Sequence, residues 1–148
     1  MRARGAVSAI IVTALFAAGA WAEGRALVGP EIVRAAQWSG SFTLQEAAKN
    51  IRIRYASSHC APARQYARTI LAVRERAGKY SNVWMTVQRS KGGAVEASGF
   101  TPPFELPAGT YEVSVEAKSD SGKPHKVAAC VGIGDACAEF DALQPPAC

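Results

Sequence analysis

Four cysteines constrain the fold of this chain more than any other feature of its sequence. They are Cys60, Cys130, Cys137 and Cys148, in a chain of 148 residues. In a small exported domain, an even number of cysteines predicts a framework of disulfides. Four cysteines allow three pairings, and spacing alone does not decide among them. We expect Cys130 to pair with Cys137, because two glycines between them let the chain turn back, and Cys60 to pair with Cys148.

The N-terminus has the pattern of a secretory signal peptide. Two arginines precede an apolar stretch over residues 6–18, which is too short to span a membrane. Small residues at Ala20 and Ala22 predict cleavage after Ala22, and an overlapping pair at Ala18 and Ala20 is the alternative. We therefore expect a signal peptide at 1–22. The mature chain is expected to be periplasmic or secreted, without a transmembrane segment.

Alternating apolar and polar residues predict strands over much of the mature chain. The clearest is 109–118, GTYEVSVEAK, and upstream 40–44 and 50–57 follow the same pattern. After a turn at 119–123, we expect 126–132 to be the hairpin partner of 109–118.

Residues 62–77 fit two structures equally well. Read as a helix, they are amphipathic, with Pro62 in the first turn and Gly78 just past the end. Read as a strand, they place Leu71 and Val73 inward. The strand predicts a sandwich of five to seven strands, whereas the helix predicts an α+β domain with one crossing helix.

The segment Leu106-Pro-Ala-Gly-Thr-Tyr111 resembles the tyrosine corner of immunoglobulin-like sandwiches, in which a tyrosine hydrogen-bonds back across a turn. This chain departs from antibody domains at Val113, where their second inter-sheet cysteine would stand. The resemblance implies a sandwich and no particular activity. We predict a mainly β, disulfide-stapled, immunoglobulin-like β-sandwich over 40–148, preceded by an N-terminal segment at 23–39, with the C-terminal tail tied down by a disulfide.

The charge of the chain is unevenly distributed. Between residues 49 and 91 there are ten basic residues and one acidic residue, whereas from residue 92 onward there are three lysines and eight acidic residues. If strands 50–57 and 68–76 are neighbours, their outward arginines form a cationic face. Such a face would bind an anionic polymer (nucleic acid, lipopolysaccharide or an acidic glycan) or an acidic protein partner. The candidate residues are Arg52, Arg54, Arg68, Arg74 and Arg76. The alternative interpretation is that these arginines only keep an exposed sheet soluble.

Trp84 is a further candidate binding residue. We expect Val83, Met85 and Val87 to be buried, which places Trp84 outward, where an indole suits stacking against a sugar ring. This predicts, as an alternative function, a carbohydrate-binding module. A structural subunit of an envelope or secreted assembly is another.

Motifs for catalysis, cofactors and metals are missing from the sequence. The chain has two histidines, no Gly-x-Ser-x-Gly, no phosphate-binding glycine loop and no Cys-x-x-Cys. We expect both histidines, His59 and His125, to lie in surface loops. The sequence therefore predicts an exported binding protein that is not an enzyme, has no catalytic residue and uses no cofactor or metal.

Overall fold

The computed structural model describes residues 24–119, 124–140 and 148. Over these residues the chain forms two antiparallel sheets and contains no helix that could cross a membrane. The strands are β1 (Arg25–Val33), β2 (Gln37–Leu44), β3 (Ala48–Ala61), β4 (Tyr66–Glu75), β5 (Ser81–Arg89), β6 (Gly93–Phe100), β7 (Phe104–Leu106), β8 (Gly109–Ser119) and β9 (Pro124–Ile133). The predicted mainly β, disulfide-stapled sandwich is confirmed. The predicted signal peptide, residues 120–123 of the predicted turn and the tail at 141–147 lie outside the described residues.

The strand order is that of a jelly roll. The first sheet has the order β1-β9-β3-β6, with β7 also pairing with β3, and the second sheet has the order β2-β8-β4-β5. In immunoglobulin domains the last two strands pair within one sheet. Here β8 and β9 lie in different sheets, and β9 pairs with β1 and β3. The predicted hairpin between 109–118 and 126–132 is therefore wrong, because the chain crosses between the sheets after β8.

Strand β1 brings the predicted N-terminal segment into the sandwich. It pairs with β9 along its length, and Trp38 at the start of β2 is 2% exposed within the core. The sandwich therefore begins at Arg25, earlier than the predicted boundary at residue 40.

Residues 66–75 form a central strand, so the helical interpretation of 62–77 is wrong. Strand β4 lies between β5 and β8, and both neighbours pair with its backbone. Its inward residues Ala67, Thr69, Leu71 and Val73 are buried. Pro62 lies in the preceding turn, where its carbonyl accepts a hydrogen bond from the N–H of Gln65 at 3.3 Å.

The tyrosine corner joins the second sheet to the loop before it. Tyr111 at the start of β8 is fully buried, and its hydroxyl donates a hydrogen bond to the carbonyl oxygen of Pro107 at 2.7 Å. Its ring lies between Phe42, stacked at 5.5 Å, and Tyr80, edge-on at 6.2 Å between centroids. The local structure that the resemblance implied is present within a jelly-roll connectivity.

Both predicted disulfides are confirmed. Cys130 is bonded to Cys137 and Cys60 to Cys148. The short bridge depends on Gly132, because a Cβ at this position would lie 2.8 Å from the Cβ of Ala136 and 3.0 Å from Sγ of Cys137. Residues 134–140, which we call the C-terminal segment, can therefore fold back closely over β9.

The C-terminal segment covers part of the outer face of the first sheet. Phe140 packs against Ala56 of β3 and Ala128 of β9, and both alanines are buried although they point away from the core. Strand β3 is consequently buried on both faces from Tyr55 to His59. His59 is 1% exposed, so its predicted place in a surface loop is wrong. The side chain of His125 lies outside the described structure.

Candidate functional site

The predicted cationic face does not form, because β3 and β4 belong to different sheets. Arg52 and Arg54 lie on the outer face of the first sheet, whereas Arg68 and Arg74 lie on the outer face of the second. These two pairs therefore point away from each other across the sandwich. The condition for such a face, that strands 50–57 and 68–76 are neighbours, is not met, since the chain crosses from one sheet to the other between them.

The arginines of the first sheet have structural contacts. Nη2 of Arg52 donates a hydrogen bond to the carbonyl oxygen of Gly134 at 3.0 Å, and Nη1 of Arg54 donates to that of Tyr55 at 2.6 Å. Their guanidinium carbons lie 4.4 Å and 5.5 Å from the ring centroid of Phe100, within the range of cation–π attraction. Both side chains are half-buried. They help to hold the C-terminal segment and β6 against β3.

The two arginines at the far end of β4 both lie beside an acidic residue of β8. Arg76, in the turn after β4, makes an ion pair with Glu112 of β8 at 2.5 Å. Arg74 lies opposite the same Glu112 on the neighbouring strand. This end of the second sheet therefore combines both signs of charge.

A cationic surface does form at the other end of the second sheet, where β4 begins and β5 ends. The register places Tyr66 opposite Arg89 and Arg68 opposite Lys118, all on the outer face. Two turn residues, Arg64 and Lys91, adjoin them. We call this set the basic corner: Arg64, Tyr66, Arg68, Arg89, Lys91 and Lys118. Tyr66 is 45% exposed, so an aromatic ring lies in solvent among cations.

Ser90 ties together the two turns of the basic corner. Its carbonyl accepts a hydrogen bond from the N–H of Arg64 at 2.9 Å, and its N–H donates to the carbonyl of Gln65 at 2.8 Å. Its hydroxyl donates to the carbonyl of Ala61 at 2.8 Å and accepts from the N–H of Gly92 at 2.9 Å. Arg64 is thereby held at φ +75°, a backbone region that long side chains rarely adopt. The backbone that carries Arg64 and Lys91 is therefore ordered before any ligand arrives.

A shallow groove of about 420 Å³ adjoins the basic corner. It lies between the end of β5 and the start of β6, and its lining residues are Gln88, Arg89, Ser90, Lys91, Gly92, Ala94, Val95 and Glu96. Two cations and one carboxylate face this groove. Its chemistry suits an anionic group that contacts Arg89 and Lys91.

Trp84 lies on the inner face of β5, so its predicted outward position is wrong. Its ring centroid is 5.0 Å from that of Phe104, and it lies opposite Leu71, a core residue. Val83, Met85 and Val87 are instead 50%, 57% and 47% exposed. With Leu71 inward, the register of the β4–β5 hairpin turns Trp84 inward and these three side chains outward. Trp84 is therefore no exposed platform for a sugar ring.

The sequence places Arg64, Arg89 and Lys91 within the basic region 49–91, the candidate contact surface, without singling them out, and it does not point to Lys118. The signal that would have found them is the register of the β4–β5 hairpin, because directly opposite residues share a face. With Leu71 inward, that register places Trp84 inward and sets Arg89 beside Tyr66. Tyr80, which adjoins the predicted cationic face in sequence, packs on Tyr111 instead.

Among residues 24–119, 124–140 and 148, no group of three His, Cys, Asp or Glu side chains is placed to hold a metal ion. The chain matches no family model, and no curated protein matches its sequence.

Proposed function

We propose that this protein is an exported, non-catalytic binding protein and that its basic corner binds an anionic polymer. The observation that carries the proposal is the setting of Tyr66, a ring that is 45% exposed, with Arg89 directly opposite it. Closely spaced cations attract successive anionic groups of a polymer, and an exposed ring adds a stacking surface.

The order of the site supports a binding role. The hydrogen bonds of Ser90 fix the turns that carry Arg64 and Lys91. Binding to a surface that is already ordered loses less conformational entropy than binding to mobile turns. The positive φ of Arg64 adds to this support, because uncommon backbone conformations are concentrated at functional sites.

Export is supported by the covalent structure and by the N-terminal sequence. The two disulfides are consistent with an oxidising extracellular or periplasmic environment. A signal peptide at residues 1–22, with cleavage after Ala22, would deliver the chain to that environment. The anionic polymer is accordingly one that is found in a bacterial-type envelope or outside the cell, such as an acidic glycan, lipopolysaccharide or released nucleic acid.

The test is salt-dependent binding of the purified, oxidised protein to a labelled heparin oligosaccharide and to labelled single-stranded DNA. We expect the logarithm of the binding constant to fall linearly with the logarithm of the salt concentration. Arg64→Gln with Arg89→Gln removes two charges from the basic corner and should reduce the slope by about 2.

The matched control is Arg74→Gln with Lys79→Gln, which removes the same charge from the other end of the β4–β5 hairpin. It should leave the salt slope nearly unchanged. Equal weakening by both double variants would show only a general effect of net charge and would overturn the proposal, as would the absence of salt-sensitive binding. Binding to poly-glutamate alone would assign the basic corner to an acidic protein partner instead.

A further inference from the structure

Among the described strands, β1 and β6, with the short β7, lie at the edges of the first sheet, and β2 and β5 lie at the edges of the second. Strands β1, β6 and β2 carry features that discourage pairing with another chain. Strand β1 contains Gly29 and Pro30 and is irregular in register. Strand β6 carries Glu96 and begins at Gly93. Strand β2 presents polar outward side chains, and its Trp38 donates a hydrogen bond to Glu31 of β1 at 2.5 Å. Prolines, bulges, charges and covered edges are the usual protection of sheet edges.

Strand β5 has only one of these protections, the charge of Arg89 at its end. It ends the second sheet and contains no glycine, proline or acidic residue. Its outward face carries the apolar stripe, which we define as Val83, Met85 and Val87, with exposures of 50%, 57% and 47%. An exposed apolar edge of this length is a surface to which another strand can be added.

The sequence of β5 fits a second copy of itself. Ser81-Asn-Val-Trp-Met-Thr-Val-Gln-Arg89 is nearly symmetric about Met85. In an antiparallel pair with its two-fold axis at Met85, Val83 lies opposite Val87 and Asn82 lies opposite Gln88. Arg89 then lies opposite Ser81, so no two like charges oppose each other within the pair. Apolar groups meet apolar groups and amides meet amides, as a two-fold interface requires.

We propose that two copies of this chain pair through β5, edge to edge and antiparallel about Met85, to form one continuous eight-stranded sheet. The apolar stripes of the two copies then lie side by side on one face. Arg89 belongs both to β5 and to the basic corner, but the pairing rests on the edge and the apolar stripe rather than on the cations.

The first test is sedimentation of the purified, oxidised protein over a wide concentration range, up to about 500 µM, since a single strand pair makes a small interface. We expect a dimer whose fraction rises with concentration. Met85→Lys brings two lysines face to face at the axis and should leave a monomer whose melting temperature in dilute solution is unchanged. Ser41→Lys, on the outer face of edge strand β2, is the matched control and should still dimerise.

The second test reads the register. Met85→Cys should form a disulfide-linked dimer on mild oxidation, and Val83→Cys should cross-link with Val87→Cys in a mixture. Val83→Cys alone should not, because two copies of that residue lie about 13 Å apart along the strands. Ser41→Cys controls for unspecific oxidation. A protein that is monomeric at every concentration, or cysteine variants that cross-link irrespective of position, would overturn the pairing. Loss of dimers in Ser41→Lys, as well as in Met85→Lys, would do the same.

Discussion

The outer faces of the two sheets differ in what covers them. Strands β3 and β4 both alternate inward and outward residues, and both carry outward arginines. On the first sheet, cysteines stand at outward positions of β3 and β9, and their bridges tie Cys148 and Cys137 to this face. On the second sheet the stripe of Val83, Met85 and Val87 stays exposed. Alternation thus indicates which side chains point away from the core, but not whether another part of the chain packs over them.

The C-terminal segment that covers part of the first sheet also determines which contacts the outward arginines make. Arg52 donates a hydrogen bond to the C-terminal segment at Gly134, and Arg54 donates to the backbone of its own strand. Arg89, on the open second sheet, is exposed beside Tyr66. Arginines of the same type and alternation therefore stabilise the fold on one face and remain available to a ligand on the other.

Removing the long disulfide should change the covered face most. Cys60→Ser with Cys148→Ser releases a closure over 88 residues of sequence, and loop-closure entropy predicts a loss of about 4.6 kcal/mol in the free energy of unfolding. Cys130→Ser with Cys137→Ser opens a separation of 7 residues and should cost about 2.5 kcal/mol. Urea denaturation measures both. If removing Cys130–Cys137 lowered the free energy of unfolding more, the short bridge rather than the long one would be the main stabiliser of the covered face.

Two adjacent residues of β5 should differ sharply in their effect on stability. Trp84→Ala removes an indole packed on Phe104 and should lower the free energy of unfolding by about 3 kcal/mol, the lower end for such a truncation because the ring is only half-buried. Met85→Ala, on the exposed side, should stay within about 0.5 kcal/mol. Urea denaturation of dilute protein, in which pairing between copies contributes little, is the measurement. The reverse order would mean that β5 faces the other way.

A pair of truncations compares the two outer faces directly. Phe140→Ala removes a half-buried ring from its contacts with Ala56 and Ala128 and should cost about 1.5 kcal/mol. Val87→Ala on the bare face should change the free energy of unfolding by about 0.5 kcal/mol or less. Thermal or urea unfolding detects both. Equal losses would remove the distinction between a covered and an uncovered face.

Local signals in the sequence predicted the local parts of this fold. The tyrosine corner depends on a few residues before Tyr111, and the short disulfide depends on the glycines between Cys130 and Cys137. The errors concern long-range pairing. The strand at 126–132 has the right local pattern, but whether it joins β8 or crosses to β3 depends on the closure of the whole sandwich. Likewise, Trp84 and its neighbours fit either face of β5 by alternation, and only the hairpin register decides between the faces.

Long-range strand pairing also explains why the residues of the candidate site could not all be predicted from the sequence. Arg52, Arg54, Arg68, Arg74 and Arg76 were readable from the sequence as outward residues. Which of these arginines lie close together depends on the order of the strands in the two sheets. The residues of the basic corner come from β4, β5, β8 and two turns, and no short window of sequence contains them all.

The second sheet has no disulfide of its own among the described residues, so side-chain contacts such as the tyrosine corner carry more of its stability. Burial raises the pKa of Tyr111 above its ordinary value, and the Glu75 carboxylate and the Tyr80 hydroxyl raise it further. A folded-state pKa above that of the unfolded chain stabilises the fold fully below the unfolded value of about 10. That contribution is lost as the pH rises from about 10 through the folded-state pKa.

Tyr111→Phe should therefore have an effect that depends on pH. Near neutral pH it removes the hydrogen bond to Pro107 and should lower the free energy of unfolding by about 1 kcal/mol. Above pH 10 the unmodified protein loses its own contribution from the neutral phenol, so the difference between the two proteins should narrow. Urea denaturation at a series of pH values measures this difference. A difference for Tyr111→Phe that stays constant to alkaline pH would show that the buried phenol does not couple protonation to folding.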